Sequence, residues 1–216
     1  SKEKLLNNLN ESLIHTPNKK SINDISKQHN IDPTQIVKVI VYIGKFEDGS
    51  KTPILTCIRG DQTINEVKLS NFINKNSKSN LINLCLVETN LSKELELVKL
   101  PFGFLGPDFN NYFKKGSQDE NRWLRIVDNS EFNLSKFISG SNKIDYHKFF
   151  NSWKEIDEEF TVADIRNAKE GDFIDLNNSE TLIEKRGIEI GHIFQLGQKY
   201  SEKLNAKFSN KNGQLE

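Results

Sequence analysis

Methionine is absent from this chain, and its first residue is Ser1. A complete translation product opens on methionine, so the sequence is expected to be processed, or to be a middle stretch of something longer. Cysteine is almost as scarce. Cys57 and Cys85 lie far apart, each inside an apolar, strand-like run (54–58 and 81–87). Two such thiols cannot build a disulfide scaffold, and without close histidine or cysteine neighbours they do not make a metal site. Both are expected to be buried thiols. Long hydrophobic runs are missing too: none approaches the roughly 20 residues that span a bilayer. Lys2, Glu3, Lys4 and Asn7 exclude a signal-peptide core at the start. A soluble, cytoplasmic protein with no membrane partner is the expectation. Nor is there an excess of charge. With 30 Lys+Arg against 30 Asp+Glu the net is +0, which excludes holding nucleic acid by bulk charge but leaves room for a local basic patch.

What is present suffices for one substantial core. The 216 residues are 35% hydrophobic and include 14 Phe, so wholesale disorder is excluded despite a mean hydropathy of −0.61. Apolar residues at helical spacing occupy 2–14, until Thr16-Pro17 breaks the pattern. Ser21 with Asp24 reads as a variant capping box opening a helix to about His29, and Asp32-Pro33 starts a short helical turn. The run 36–43 is β-branched and continuous, as in a buried strand. Asp48-Gly49 signals a hairpin, with 54–59 as the returning strand. Helical spacing returns over 65–72, and an Asn/Ser/Lys-rich loop is expected at 73–80. A mixed apolar run (81–100), a Gly/Pro loop (101–107) and a polar loop (108–121) follow. Strand candidates then occupy 123–127 and 146–153, separated by a Gly-Ser-Asn turn at 140–142. Beyond the acidic run 155–159, a new pattern starts at Lys185. It holds a strand-like run through Ile188 and Phe194, a helix at 200–204 and a turn at Asn212-Gly213. Irregular alternation with a hairpin predicts an α+β fold, a mixed, mostly antiparallel sheet with flanking helices.

Taken singly, the residues that could carry chemistry leave alternatives open. Lys38, inside an apolar strand, either snorkels from a half-exposed face or is placed in a cleft for use. The loop from Gly103 to Pro107 is either a plain turn or a place where backbone N–H groups approach a ligand. His147 and His192 are lone histidines, and such residues are commonly structural. No GxSxG, HExxH, CxxC, P-loop or GxGxxG is found, so nucleophilic-serine, metallo- and nucleotide-fold chemistries lack support.

A longer pattern changes the weights. The string from Lys185 through Gly197, Lys-Arg-Gly-Ile-Glu-Ile-Gly-His-Ile-Phe-Gln-Leu-Gly, is followed by Lys199-Tyr200-Ser201-Glu202. It resembles the point where bacterial-type prolyl-tRNA synthetases return to their class II catalytic core after a large editing insertion. The preceding chain resembles that insertion in order: Thr16-Pro17, Lys38, Arg59-Gly60-Asp61, the Gly103–Pro107 loop, Val127-Asp128, Gly140-Ser141-Asn142, Asp145-Tyr146-His147 and Asn151-Ser152-Trp153. The stretches 81–100 and 108–122 match poorly.

The resemblance implies a lead-in at 1–15, an editing domain at 16–178 and a fragment of catalytic core at 179–216. It implies hydrolysis of Ala-tRNA(Pro), with Lys38, Gly103, Gly106 and His147 in catalytic roles. Lys38 would hold the terminal phosphate or the developing charge, the 103–106 backbone would orient the carbonyl, and His147 would set the pocket size. Thr16, Pro107, Asp128, Gly140 and Asn142 would bind substrate, while His192 and Phe194 would sit near the proline pocket of the synthetic site. Editing would need no cofactor and no metal. The parent synthetase would use ATP and Mg2+, bind the tRNA(Pro) 3′ end with alanine or proline, and form a homodimer. The sequence has no upstream class II motifs and no ATP-binding arginine motif, so this stretch alone should not aminoacylate. A free-standing deacylase and a non-hydrolytic, tRNA-positioning insertion are the rival readings.

Overall fold

A computed structural model of the chain describes residues 13–87, 100–108, 123–156, 159–174, 177 and 179–215. Two compact units divide between Lys169 and Glu170. In chain order the first unit runs β1 (Leu13–His15), α1 (Ile22–His29), a 3-10 turn (Pro33–Gln35), β2 (Val37–Phe46), β3 (Lys51–Arg59) and α2 (Glu66–Asn76). It continues with β4 (Leu81–Leu86), β5 (Leu124–Asp128), β6 (Ser135–Gly140), β7 (Tyr146–Ser152), a second 3-10 turn (Trp153–Glu155) and β8 (Thr161–Ala163).

Local chemistry sets most of these boundaries. Ser21 Oγ accepts the Asp24 N–H at 3.1 Å while its hydroxyl donates to the Asp24 carboxylate at 2.8 Å, starting α1 as the capping pattern predicts. Asn30, left-handed at φ 51°, ends it. Asn65 caps α2 through Lys68 N–H at 3.0 Å. Asp48 Oδ1 accepts from Ser50 N–H at 2.9 Å, and Gly49 takes φ +81°, so the turn joining β2 to β3 forms where expected.

The strands make two sheets, ordered β4-β2-β3-β5-β8 and β1-β7-β6. Among the described residues four of the six strand pairs are antiparallel; β3–β5 and β5–β8 are parallel. The fold is thus mixed α+β with a mostly antiparallel sheet arrangement, as the sequence predicts. Side chains alternate along β2. Val37, Val41 and Ile43 join Phe137, Phe150 and Trp153 in a core between the sheets, whereas Tyr42 packs with Leu69 and Ile73 of α2 on the other face. A third cluster, Ile14, Ile25, Ile31, Ile36 and Ile138, fixes α1 against the small sheet.

Several expectations are corrected. The helical spacing of 2–14 falls outside the described residues up to 12, and its end is β1. There Ile14 is buried opposite His147, and pairing with β7 overrides the local period. The loop expected from 73 begins at 77, because Ile73 is fully buried and holds the last turn of α2 in the core. Strands β6 and β8 carry no clear alternation and went unforeseen. Cys57 is buried, but Cys85 is only half-buried on the outer strand β4. Most of the 81–100 and 108–121 readings lies outside the described residues.

The second unit has isolated bridges, Phe173 with Thr181 and Ser209 with Leu215, and no regular helix or strand among its described residues. The expected helix at 200–204 is a succession of turns, in which the Glu202 and Leu204 N–H groups reach carbonyls four residues back. The expected strand around Ile188 to Phe194 has no strand partner, and its apolar side chains are exposed. Among the described residues no helix is long and apolar enough to cross a membrane.

Candidate functional site

Strand β2 changes neighbours along its outer edge, and that change creates the site. At its start, Ile36 bridges Ile138 and the Val37 carbonyl accepts Ser139 Oγ at 2.9 Å. Further on, the Val41 carbonyl accepts Val87 N–H at 2.9 Å as β4 takes over. Between these points, among the described residues, the outer edge of β2 has no strand paired to it, while its inner edge stays on β3 with Val39 opposite Cys57. A cavity of about 200 Å³ opens there, lined by Lys20, Ile22, Ile25, residues 36–40, Gly103, Leu105, Gly140 and His147. It is smaller than the roughly 300–1,000 Å³ of drug-sized sites, and holds about six waters at roughly 30 Å³ each.

Lys38, Gly103, Gly140 and His147, singled out from the sequence, therefore share one cavity. His147 is set by β7 and buried. Its Nδ1 shares a 2.6 Å hydrogen bond with Thr16 Oγ, which is itself wholly buried. Phe104 stands edge-on to the imidazole, with centroids 5.6 Å apart. Burial, with His29 adding, holds His147 down to about 4, so the ring is neutral at pH 7. Lys38 is half-buried; its Nζ donates to the Gln62 carbonyl. Burial lowers its pKa, while Glu131 and Asp61 act in the opposite sense.

The 103–107 loop is docked rather than free. Gly106 N–H donates to Asn142 Oδ1 at 2.8 Å, and Asn142 N–H donates to the Phe104 carbonyl at 2.9 Å. A methyl on Gly106 would strike the Gly140 carbonyl oxygen, and one on Gly140 would strike the Phe104 carbonyl. Glycine is thus required at both positions by close backbone approach. Gly106, Asn142 and the buried Pro107 hold the loop on the β6–β7 turn instead of lining the cavity. The Gly106 and Phe104 N–H groups are already occupied, the latter by the Pro101 carbonyl at 2.8 Å. Among the described residues the Gly103 and Leu105 N–H groups have no hydrogen-bond partner, which narrows the available donors to these two. Gly103 adopts φ +90° under the aliphatic stem of Lys20.

Asp128 lies outside the cavity. Its carboxylate accepts from Ser130 N–H (3.0 Å), Ser130 Oγ (2.6 Å) and Ile165 N–H (2.8 Å), which ties β5 to the chain after β8. His192 and Phe194 belong to the second unit, where their rings stack at 5.7 Å and His192 Nε2 lies 3.0 Å from Glu189. The sequence reading missed Lys20, whose only signal is its position four residues after Thr16, and Glu131, an isolated acid in a polar stretch.

With this geometry in hand, comparison with known proteins is decisive. The profile of aminoacyl-tRNA editing domains matches residues 16–158. The chain belongs to that family. The chain is 55% identical over all 216 of its residues to a proline--tRNA ligase of Prochlorococcus marinus (strain MIT 9515). It is 56% identical, again over its full length, to the corresponding ligase of P. marinus subsp. pastoris. The chain spans 36% of the length of each of these relatives. A solved structure described as a candidate trans-editing enzyme for prolyl-tRNA synthetase superimposes with TM-score 0.50. It shares 15% identity and covers 72% of this chain and 85% of the other. That likeness shows a shared fold.

Proposed function

We propose that residues 16–178 hydrolyse alanine from mischarged tRNA(Pro), as the editing insertion of a prolyl-tRNA synthetase. The observation that carries this reading is the convergence of Lys38, Gly103, Gly140 and His147 on one small cavity. A synthetic pocket shaped for proline rejects a smaller amino acid only by lost contact, worth about 1–3 kcal/mol per methylene, so a second and smaller sieve is needed. A cavity of about 200 Å³ walled by Ile, Val, Leu and His suits a small aminoacyl group.

The chemistry follows from the lining. Among the described residues, the side chains lining it are aliphatic, two lysines and His147, a set that favours water as the nucleophile. The Gly103 and Leu105 N–H groups polarise the ester carbonyl, and the Lys38 ammonium stabilises the negative charge that develops on its oxygen. Water adds to the carbonyl carbon, the bond to the ribose 3′ oxygen breaks, and that oxygen takes the proton. The 2′-hydroxyl of the terminal adenosine assists the transfer. His147, neutral and clamped by Thr16, acts as a wall. Lys20, at the same cavity, meets the terminal phosphate.

Residues 179–216 are read as part of a class II catalytic core, supported by the exposure of Ile188, Ile190, Ile193 and Phe194. On this reading His192 and Phe194 serve the proline pocket of a cytoplasmic, homodimeric ligase whose ATP and Mg2+ are held by other residues. Among the described residues no group of three His, Cys, Asp or Glu is placed to hold a metal.

The test is deacylation of Ala-tRNA(Pro) by the wild-type chain and by Lys38→Ala. Wild-type hydrolysis well above background, lost in the variant, is the expected result. Background rates from both proteins would leave only a tRNA-positioning role.

A further inference from the structure

Around Lys38 lies a polar cluster whose most buried member has no part in the reaction just described. Glu131 has no exposed surface. Its Oε1 accepts the Arg59 backbone N–H, while Oε2 has no hydrogen-bond partner. The Gln62 carboxamide satisfies its surroundings when its nitrogen faces Ser130 Oγ (2.9 Å) and Glu131 Oε1 (3.3 Å) and its oxygen accepts from Arg59 Nη2 (3.2 Å). The main-chain carbonyl of that same Gln62 receives the Lys38 ammonium. Gln62 thus sits between the buried carboxyl and the cavity lysine.

We propose that Glu131 is a positioning residue for Lys38, holding its ammonium through Gln62 and serving as its counter-charge. The proposal rests on the editing reading for its consequence but not for its geometry. The bond to Arg59 N–H does not require a carboxylate, since a glutamine oxygen would accept it equally. The Trp153 indole N–H donates to the Glu131 main-chain carbonyl at 2.7 Å, so it places no demand on the side chain. What a glutamine lacks is charge, and an orphaned buried carboxyl oxygen is costly to keep without a use.

The other charged groups around the cluster are already committed. The Arg59 guanidinium grips Asp61 at 2.5 and 3.0 Å, and Lys169 binds the same carboxylate. Asp128 is filled by Ser130 and Ile165. Among the described residues, Lys38 is the cation of this cluster with no carboxylate in direct contact, and Glu131 is the carboxylate with a spare oxygen. Burial raises Glu131 to about 8, with nearby Asp128 adding; Arg59 and Lys38 pull the other way. Each of the pair therefore favours the charged form of the other.

The signature is an effect that grows with pH. Near pH 6 Glu131 is protonated, and Glu131→Gln should deacylate Ala-tRNA(Pro) within about twofold of wild type. At pH 8.5 the wild type carries the counter-charge and the variant does not. There kcat/KM should fall several-fold, because the Lys38 ammonium loses the charge that favours it, with kcat bearing the loss. In 13C NMR the Lys38 Cε resonance should titrate at lower pH in the variant. In the wild type it should show an inflection where Glu131 Cδ titrates, a measurement that needs no variant to fold. Equal losses at both pH values, or a Lys38 titration indifferent to Glu131, would overturn the proposal. An inactive wild-type chain with an intact Lys38–Glu131 coupling would instead count against the editing reading.

Discussion

Acidification should unlock His147, and the size of the effect can be worked out. The imidazole is buried, bonded to Thr16 and held at about 4. In the unfolded chain it returns to 6.5. A folded value below the unfolded one means that the unfolded chain binds the extra proton, so stability is intact above pH 6.5 and lost as pH falls toward 4. At pH 4.5 the loss from this residue comes to about 2–3 kcal/mol, at 1.36 kcal/mol for each tenfold change in the equilibrium. That is a substantial part of the 5–15 kcal/mol typical of a domain. His147→Gln removes the titration and retains a polar partner for Thr16. Urea unfolding, followed by the fluorescence of the buried Trp123 and Trp153, gives stability for both proteins at pH 7.5 and 4.5. The wild-type advantage over the variant should shrink by about 2–3 kcal/mol across that interval. His29 and the carboxylates titrate in both proteins and largely cancel. Parallel losses would show that His147 is solvated in the folded state, and the cavity wall would have to be redrawn.

Other substitutions probe the same frame. Gly140→Ala puts a methyl into the Phe104 carbonyl and should cost about 1–3 kcal/mol, lowering Tm while undocking the 103–107 loop. Gly103→Ala meets a left-handed φ of +90° and the Lys20 stem at 2.9 Å; it should lose deacylation with circular dichroism unchanged. Lys20→Ala should raise KM for Ala-tRNA(Pro) several-fold with kcat little altered, and should flatten the salt dependence of binding by about one phosphate contact. His147→Ala enlarges the cavity and should admit Pro-tRNA(Pro), seen as hydrolysis of the cognate ester.

The parts legible in the sequence were those fixed by neighbours in the chain. Ser21 and Asp24 cap α1, and Asp48-Gly49 turns β2 into β3, because each involves atoms a few bonds apart. Lys38 stood out because an ammonium inside Ile-Val-Lys-Val-Ile conflicts with its surroundings. Its placement with Gly103 and His147 came from resemblance, since nothing local reports contacts across a hundred residues. The same limit explains the misreadings. Leu13–His15 has helical spacing but a strand partner in β7, and Ile73 extends α2 because the core beneath it is apolar. Asp128 looked like a site residue by its position in a motif, whereas its hydrogen bonds make it a strut between β5 and Ile165. Glu131 gave no signal because burial is decided by the fold around it.

The pairing of β1 with β7 puts Ile14 opposite His147. During synthesis, the cavity cannot close until the ribosome has released the chain well past residue 147. Loop closure over such a span is entropically slow compared with forming the β2–β3 hairpin or α2. The nascent chain is therefore expected to hold β2 and β3 joined before the cavity exists. On the proposed function, the ability to cleave an aminoacyl ester arrives late, when β1 meets β7.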